Sequence, residues 1–115
     1  MEDESQEIHK IVSQVNESYW PRGLKFIETS GQWVQYTPHG TWPVWEDAVR
    51  LMFEADFTNH IIGHGFHTFE WDHDEDTDLV TLNLYDRIFT GKDGLEALCS
   101  ALIDIDNDKF EEKTP

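Results

Sequence analysis

Carboxylates dominate the segment "EWDHDEDTDL", residues 70–79, and their spacing could support several kinds of chemistry. Six of the nine residues from Glu70 to Asp78 are acidic, one is His73, and none is Lys or Arg. Such a cluster can hold a divalent cation, supply a general acid and base, or present an anionic surface to a basic partner. The spacing of the acids and the elements that hold them decide among these uses.

The calcium-loop pattern is the first use to test. An EF-hand loop needs alternating acids, a glycine at the sharp turn after the third of them, and a bidentate glutamate at its end. Counted from Asp72, these two places hold Thr77 and Asn83, and the second acidic run, residues 104–108, is followed by Lys109 where glycine belongs. The sequence therefore predicts no dedicated calcium site.

The histidines of "NHIIGHGFH" offer a second metal pattern. His60 and His64 are four residues apart, a spacing at which one helix face can bind zinc, and His67 follows. However, Ile61 stands where H-E-x-x-H has its glutamate, and Gly63 beside His64 disfavours a helix there. We expect no metal and no cofactor. A small metal-dependent enzyme that uses His60, His64 and His67 as ligands stays open as the alternative.

Other catalytic patterns are weak. A carboxylate pair needs one member in an apolar environment, and Glu28 and Asp86 adjoin apolar strands, but nothing in the sequence pairs them. The chain has no G-x-S-x-G, P-loop or dinucleotide-binding motif. The single cysteine, Cys99, lies in the apolar helical pattern "LEALCSALIDI" without a basic neighbour, which predicts a buried, inert thiol. The sequence predicts a non-enzymatic protein without catalytic residues.

Aromatic side chains give one further possibility. Trp33, Tyr36, Trp42, Trp45 and Trp71 could stack on sugars, since carboxylates and tryptophan suit carbohydrate ligands. Stacking on nucleic-acid bases usually needs a basic groove beside the rings, and the chain lacks one. We expect most of these rings to pack in the core.

Net charge is the strongest global signal in this chain of 115 residues. Twenty-four acidic residues face eight basic ones, which gives a net charge of −16. This charge repels phosphates, so we expect neither direct nucleic-acid binding nor membrane binding. It attracts basic protein surfaces. The alternative is that the charge serves only solubility, as in a halophilic or regulatory domain.

The distribution of the charge favours a directed function. No Lys or Arg occurs between Arg50 and Arg87, and a long stretch of one sign creates a directional field. If the segment is extended, the aspartates at alternate positions from Asp72 to Asp78 form a row with steps of about 6.6 Å, comparable to phosphates along a DNA strand. The predicted partner-binding residues are Glu54, Asp56, Glu70, Asp72, Asp74, Glu75, Asp76 and Asp78.

These observations predict an acidic interaction protein that occludes a basic, nucleic-acid-binding surface of a partner. A DNA mimic of the anti-defence type, from a phage or mobile element, fits this prediction, and so does an acidic immunity protein for a basic toxin nuclease. The acidic start "MEDESQE" is the opposite of a signal peptide, and one cysteine excludes an internal disulfide. We expect a cytoplasmic protein, in the host cytoplasm if viral, and leave open whether it is a homodimer.

Periodicity predicts one α+β domain over residues 1–115, in the order α-β-β-β-α-β-β-α. The predicted helices cover residues 5–18, 46–57 and 95–105, with Ser5 as the first cap and a loop over 59–65. The predicted strands cover 24–28, 32–36, 41–45, 66–71 and 79–85. Hairpins imply one antiparallel sheet of about five strands with the helices on one face. Pro43 indicates an edge strand, and a polar, frayed tail is expected from about 107 to 115.

Overall fold

The computed structural model describes residues 4–85 and 87–111, with side chains outside 108–111. This part of the chain contains three α-helices separated by two groups of three strands, which confirms the α+β class and the three helices. The helices are α1 (Glu4–Val12), α2 (Glu46–Gly63) and α3 (Gly94–Glu111). The strands are β1 (Leu24–Ile27), β2 (Gln32–Thr37), β3 (Gly40–Val44), β4 (Glu70–Asp74), β5 (Leu79–Leu84) and β6 (Arg87–Gly91).

The strands form two sheets where the sequence predicted one. β1-β2-β3 and β4-β5-β6 are each a three-stranded antiparallel meander. β6 is the sixth strand, which the prediction of about five strands lacked. The strands of each meander follow one another in the chain, and α2 separates the two meanders. No strand of one sheet pairs with a strand of the other among the described residues. Pro43 lies on β3 at the sheet edge, as its missing N–H predicts.

Helix α1 ends six residues before the predicted end at residue 18. The Ser13 hydroxyl donates to the His9 carbonyl, and the Trp20 indole N–H donates to the Val12 carbonyl at 3.2 Å. The side chain of Asn16 then caps a short 3₁₀ turn, Glu17–Tyr19. These local hydrogen bonds satisfy the carbonyls that a longer helix would use. Ser5 lies inside α1 and is buried, so it is not the cap that we predicted.

Helix α2 continues through the segment predicted as a loop. Its buried stripe is Val49, Phe53, Phe57 and Ile61, a strict spacing of four that extends past Phe57. Burial of Ile61 therefore outweighs the low helix propensity of Gly63. The loop prediction for residues 59–65 was wrong as far as Gly63.

The first strand of the second hairpin is also displaced. It was predicted at residues 66–71 and lies at β4, Glu70–Asp74, while residues 66–69 have no regular structure. Phe66 and Phe69 are partly buried against the core, which explains why this apolar stretch resembled a strand. Residues 70–74 of the acidic segment are consequently β-strand, and residues 75–78 form the turn to β5.

One apolar core connects both sheets with the helices. Trp33 of β2 is fully buried against Phe53 of α2, with ring centroids 5.2 Å apart. Its indole N–H donates to the carbonyl of Ser5 at 3.1 Å, so the buried polar atom is satisfied. Leu82 of β5 and Leu98 of α3 belong to the same core. Sheet β4-β5-β6 thus rests on α3.

Helix α3 lies close to β6 and begins with a capping motif. A Cβ at Gly91 would lie 2.8 Å from the Ala97 nitrogen, so only glycine permits this approach. Asp93 accepts a hydrogen bond from the Glu96 N–H at 2.9 Å, the arrangement of an N-cap. The helix continues past Asn107, where we predicted the tail, and residues 112–115 lie outside the described residues. Within the described part of the chain, no helix combines the length and apolarity that a membrane crossing needs.

The Asp93 cap should carry a measurable share of the stability. Asp93→Ala should lower the free energy of unfolding by about 1–2 kcal/mol, the usual cost of losing an N-cap. Asp93→Asn should cost less than half of that, because the amide oxygen can still accept from the Glu96 N–H. Urea titrations followed by tryptophan fluorescence measure both changes. Asp93 also forms an ion pair with Arg50. Equal losses in the two variants would show that this ion pair contributes the stability and the cap does not.

Candidate functional site

The acidic segment lies on β4, the free edge of the second sheet. All five residues of β4 are exposed. Glu70, Asp72 and Asp74 share one face of the strand, because side chains two residues apart point the same way. Their partners on β5 are Asn83, Thr81 and Leu79, in the same order. The outer face of the sheet therefore carries three carboxylates in a row along its edge, which we call the β4 row (Glu70, Asp72, Asp74).

The row does not extend through Asp76 and Asp78, as a fully extended segment would require. Residues 75–78 form a turn in which the Asp78 N–H donates to the Asp74 carbonyl at 2.7 Å. The Asp74 carboxylate accepts from the Asp76 N–H at 2.9 Å, and Asp78 has a φ of 58°. Three carboxylates, those of Glu75, Asp76 and Asp78, therefore lie at the tip of the hairpin beyond the end of the row.

No lysine or arginine of the described chain balances the acids of this edge. Among the described residues, no carboxylate from Glu70 to Asp78 pairs with a lysine or arginine. Within the segment, His73 Nε2 and Asp78 Oδ1 are hydrogen-bonded at 2.8 Å, and both side chains are exposed. The field of these carboxylates therefore extends into solvent over about one Debye length.

The two predicted residues of α2 differ in position. Glu54 is partly buried beside the start of α3, where its Oε2 would lie 3.7 Å from a Cβ at Gly94. Burial raises the pKa of Glu54, Arg50 lowers it, and Asp93 raises it again, with a net increase. Asp56 is two residues further on, and residues two apart on a helix do not share a face. The structure therefore brings Glu54 to the hairpin edge without Asp56.

Two acids of the second run, Asp104 and Asp106, are used within the fold. Asp104 accepts from Arg87 at 2.9 Å, and Asp106 accepts a short hydrogen bond from the Tyr19 hydroxyl. Burial, the hydrogen bond to Asp106 and the charge of Asp106 raise the pKa of Tyr19 to about 12, so Tyr19 stays a donor at neutral pH. Asp86 and the side chains of residues 108–112 lie outside the described residues.

The three candidate metal ligands do not converge. His60 is in the last turn of α2, where its ring packs edge-on against Tyr19 with centroids 4.8 Å apart. His64 is the C-cap residue of α2, and His67 lies in the irregular segment before β4. No three His, Cys, Asp or Glu side chains in residues 4–85 and 87–107 are arranged to hold a metal ion. The geometry therefore gives no support to the metal-dependent alternative.

Four of the five aromatic side chains considered for stacking are exposed. Trp33 is buried, whereas Tyr36, Trp42, Trp45 and Trp71 have exposed fractions between 48% and 75%. The expectation that these rings pack in the core was therefore wrong for four of the five. No spacing rule shows this from sequence, because an edge strand and a central strand have the same period.

Sequence reasoning also missed a groove in which basic residues gather. Lys10 of α1, Arg50 of α2 and Lys92 before α3 line an open groove of about 360 Å³, together with Glu7, Ile11, Asp93 and Glu96. Arg50 bridges Asp93 at 2.7 Å and Glu4 at 3.3 Å. Three of the eight basic residues thus lie in one place, opposite as many acids. This arrangement leaves the rest of the surface more strongly negative.

Comparison of the chain with protein-family models, with curated proteins and with solved structures finds no match.

The thiol of Cys99 should be unreactive in the native protein. Cys99 is buried, as the sequence predicted, and burial together with the charges of Asp93 and Glu96 raises its pKa to about 12. We expect no reaction with a disulfide reagent at about pH 8, and full reaction in denaturing urea. Absorbance of the released thiolate measures both. Rapid modification of the folded protein would contradict the burial of this side chain.

Replacement of Glu54 should stabilise the fold at neutral pH. Because its folded pKa is raised above the ordinary 4.5, the ionised form costs stability in the native state. That cost is fully present above the folded pKa and is lost as the pH falls through it. Glu54→Gln should therefore unfold at higher urea than the wild type at about pH 7, and the difference should shrink towards pH 4.5. A variant less stable than the wild type at pH 7 would contradict this sign.

Proposed function

We propose that this protein binds and occludes a basic surface of a partner protein, and that this surface ordinarily binds nucleic acid. The observation that carries the proposal is the β4 row, three exposed carboxylates on a free sheet edge without a lysine or arginine partner among the described residues. Acids dispersed among bases would suffice for solubility alone. Here one edge of one sheet concentrates them.

The row lies on a hydrogen-bonded sheet that packs on a helix, an arrangement that suits a mimic of a rigid polyanion. β4 pairs with β5 through five residue pairs, from Glu70↔Asn83 to Asp74↔Leu79. β5 in turn pairs with β6, and both contact α3. The backbone positions of the carboxylates are therefore set before binding, so little conformational entropy is lost on association.

The spacing of the row suits a groove that binds phosphates. Steps of two residues on a strand measure about 6.6 Å, which is comparable to the separation of neighbouring phosphates along one DNA strand. Lysine and arginine side chains are long enough to adapt to modest differences between these spacings. The mechanism is competitive occlusion: while the row occupies the basic groove, nucleic acid cannot enter. A basic toxin nuclease with its immunity protein is one pairing of this class.

Reversal of charge on this edge should abolish partner binding without loss of the fold. The test variant is Glu70→Lys, Asp72→Lys and Glu75→Lys, which keeps Asp74 because its carboxylate accepts hydrogen bonds in the turn. The control, Glu17→Lys, Glu28→Lys and Asp47→Lys, changes the net charge equally at exposed acids of other elements. Immobilised wild-type protein should capture a basic protein from nuclease-treated lysate. We expect the test variant to capture at least about tenfold less and the control to capture nearly as much.

The DNA affinity of the captured protein then tests whether association of the two proteins blocks its nucleic-acid-binding surface. Its affinity for DNA should fall as wild-type protein is added, and binding of the two proteins should weaken at least about tenfold between about 50 and 200 mM salt. Equal losses in the test and control variants would show that net charge, and not this edge, drives association. A ternary complex with DNA would contradict occlusion.

A further inference from the structure

Trp71, Glu54 and Gly94 meet where β4, α2 and the start of α3 come together. A Cβ built on Gly94 would lie 3.7 Å from Glu54 Oε2 and 3.7 Å from Trp71 Cζ3. Both distances are ordinary van der Waals contacts, so an alanine would fit there without a clash. The glycine thus leaves a small space that a carboxylate and an indole ring border together. We call it the β4–α3 notch (Glu54, Trp71, Gly94).

The carboxylate in the notch accepts no hydrogen bond from the described residues. Glu54 is partly buried, and in the described part of the chain no hydrogen bond or ion pair within bonding distance satisfies it. The nearest cation, Arg50, is already held by Asp93 and Glu4. Burial disfavours the ionised form of Glu54, the charge of Arg50 favours it less strongly, and the charge of Asp93 disfavours it further, so its pKa is raised. A partly desolvated carboxylate in this state is stabilised by any cation that reaches it.

The indole ring supplies a second contact for the same kind of ligand. Trp71 points to the face of β4 opposite the β4 row, because it alternates with Glu70 and Asp72. It is 48% exposed, so its ring is open to solvent on the free edge of the sheet. Tryptophan is the best side chain for cation–π attraction. A neutral hydrophobic ligand would leave Glu54 unpaired, so the notch favours a cation.

We propose that the β4–α3 notch binds a single arginine side chain of the basic partner, with the guanidinium between the Glu54 carboxylate and the Trp71 ring. This inference rests on the proposed function for the identity of the partner. Arginine fits better than lysine, because a planar guanidinium can stack on indole while its N–H groups donate to a carboxylate. The carboxylate of Asp93, which caps α3, offsets the positive end of that helix for an incoming cation.

The notch and the β4 row contribute differently to binding of the partner in this proposal. They lie on opposite faces of one edge strand, so a partner that meets the edge can contact both. The exposed row attracts and orients a basic surface over a distance, and exposed ion pairs add little affinity each. The notch is partly desolvated and holds one side chain by a combination of charge and ring contact. It therefore adds specificity that net charge alone does not provide.

A titration with one isolated cation tests the notch without the partner. The probe is N-acetyl-arginine amide, and its neutral counterpart is N-acetyl-citrulline amide, added to ¹⁵N-labelled full-length protein. We expect saturable shifts of the Trp71 indole N–H and the Gly94 amide with a dissociation constant of about 1–10 mM. Citrulline should cause no saturable shift. Trp71→Leu assigns the indole signal.

Matched variants separate the notch from general charge effects. Glu54→Gln and Gly94→Ala should each weaken arginine binding at least about threefold, the first by removing the charge and the second by filling the space. The controls are Gly63→Ala, whose added methyl meets nothing within 4 Å, and Trp45→Leu, which removes another exposed tryptophan. Both should bind arginine as the wild type does. Thermal unfolding of Gly94→Ala confirms that the variant is folded.

The outcomes distinguish this inference from the proposed function. Linear, non-saturating shifts spread over the acidic residues, or unchanged binding by Gly94→Ala, would overturn the notch and leave occlusion by the β4 row intact. Saturable binding that is lost in Glu54→Gln and Gly94→Ala supports the notch even if the protein fails to displace DNA from a basic partner. In that case the notch stands as a cation site, and the proposed function fails.

Discussion

The pairing of β4 with β5 is the constraint on which the acidic surface depends. Side chains alternate along a strand, so the register Asp72↔Thr81 sends three carboxylates to one face and Trp71 to the other. A slip of one residue would exchange the two faces, directing carboxylates towards the core-facing side of the sheet. Core burial of Leu82 fixes which face of β5 meets the core, and the pairing of Trp71 with Leu82 places the β4 row on the opposite face.

The apolar core thereby determines where the charge lies, although no charged residue belongs to it. Leu82 and Leu84 of β5 are buried beside α3, and Gly91 lets β6 lie against the same helix. β4 lies at the edge of this sheet, and all its residues are exposed. An uncovered edge is normally a risk for aggregation, and charged side chains are a common protection against it. The acids of β4 thus protect the edge as well as giving it a field.

Several elements could be read from the sequence because local chemistry specified them. The β1–β2 turn at Gly31, the edge position of Pro43 and the start of α2 at Glu46 follow from turn, ladder and dipole rules. β6 was missed, although "RIFTG" alternates partly buried and exposed residues, because its glycine suggested a turn. The notch could not be predicted. Glu54 and Gly94 are far apart in the chain, and their proximity depends on how α2 and α3 pack.

Repulsion between neighbouring carboxylates raises the free energy of a surface of this kind, and a bound basic surface would lower it. Two carboxylates about 6.6 Å apart repel by roughly 0.6 kcal/mol in water, and the row continues into a hairpin tip with three more acids. The fold tolerates this repulsion because the residues of β4 and of the hairpin tip are exposed to solvent. Glu54 is the exception, since burial disfavours its ionised form by more than the charge of Arg50 favours it. A basic surface relieves both strains at once, and the greater relief per contact lies at the carboxylate with the least water.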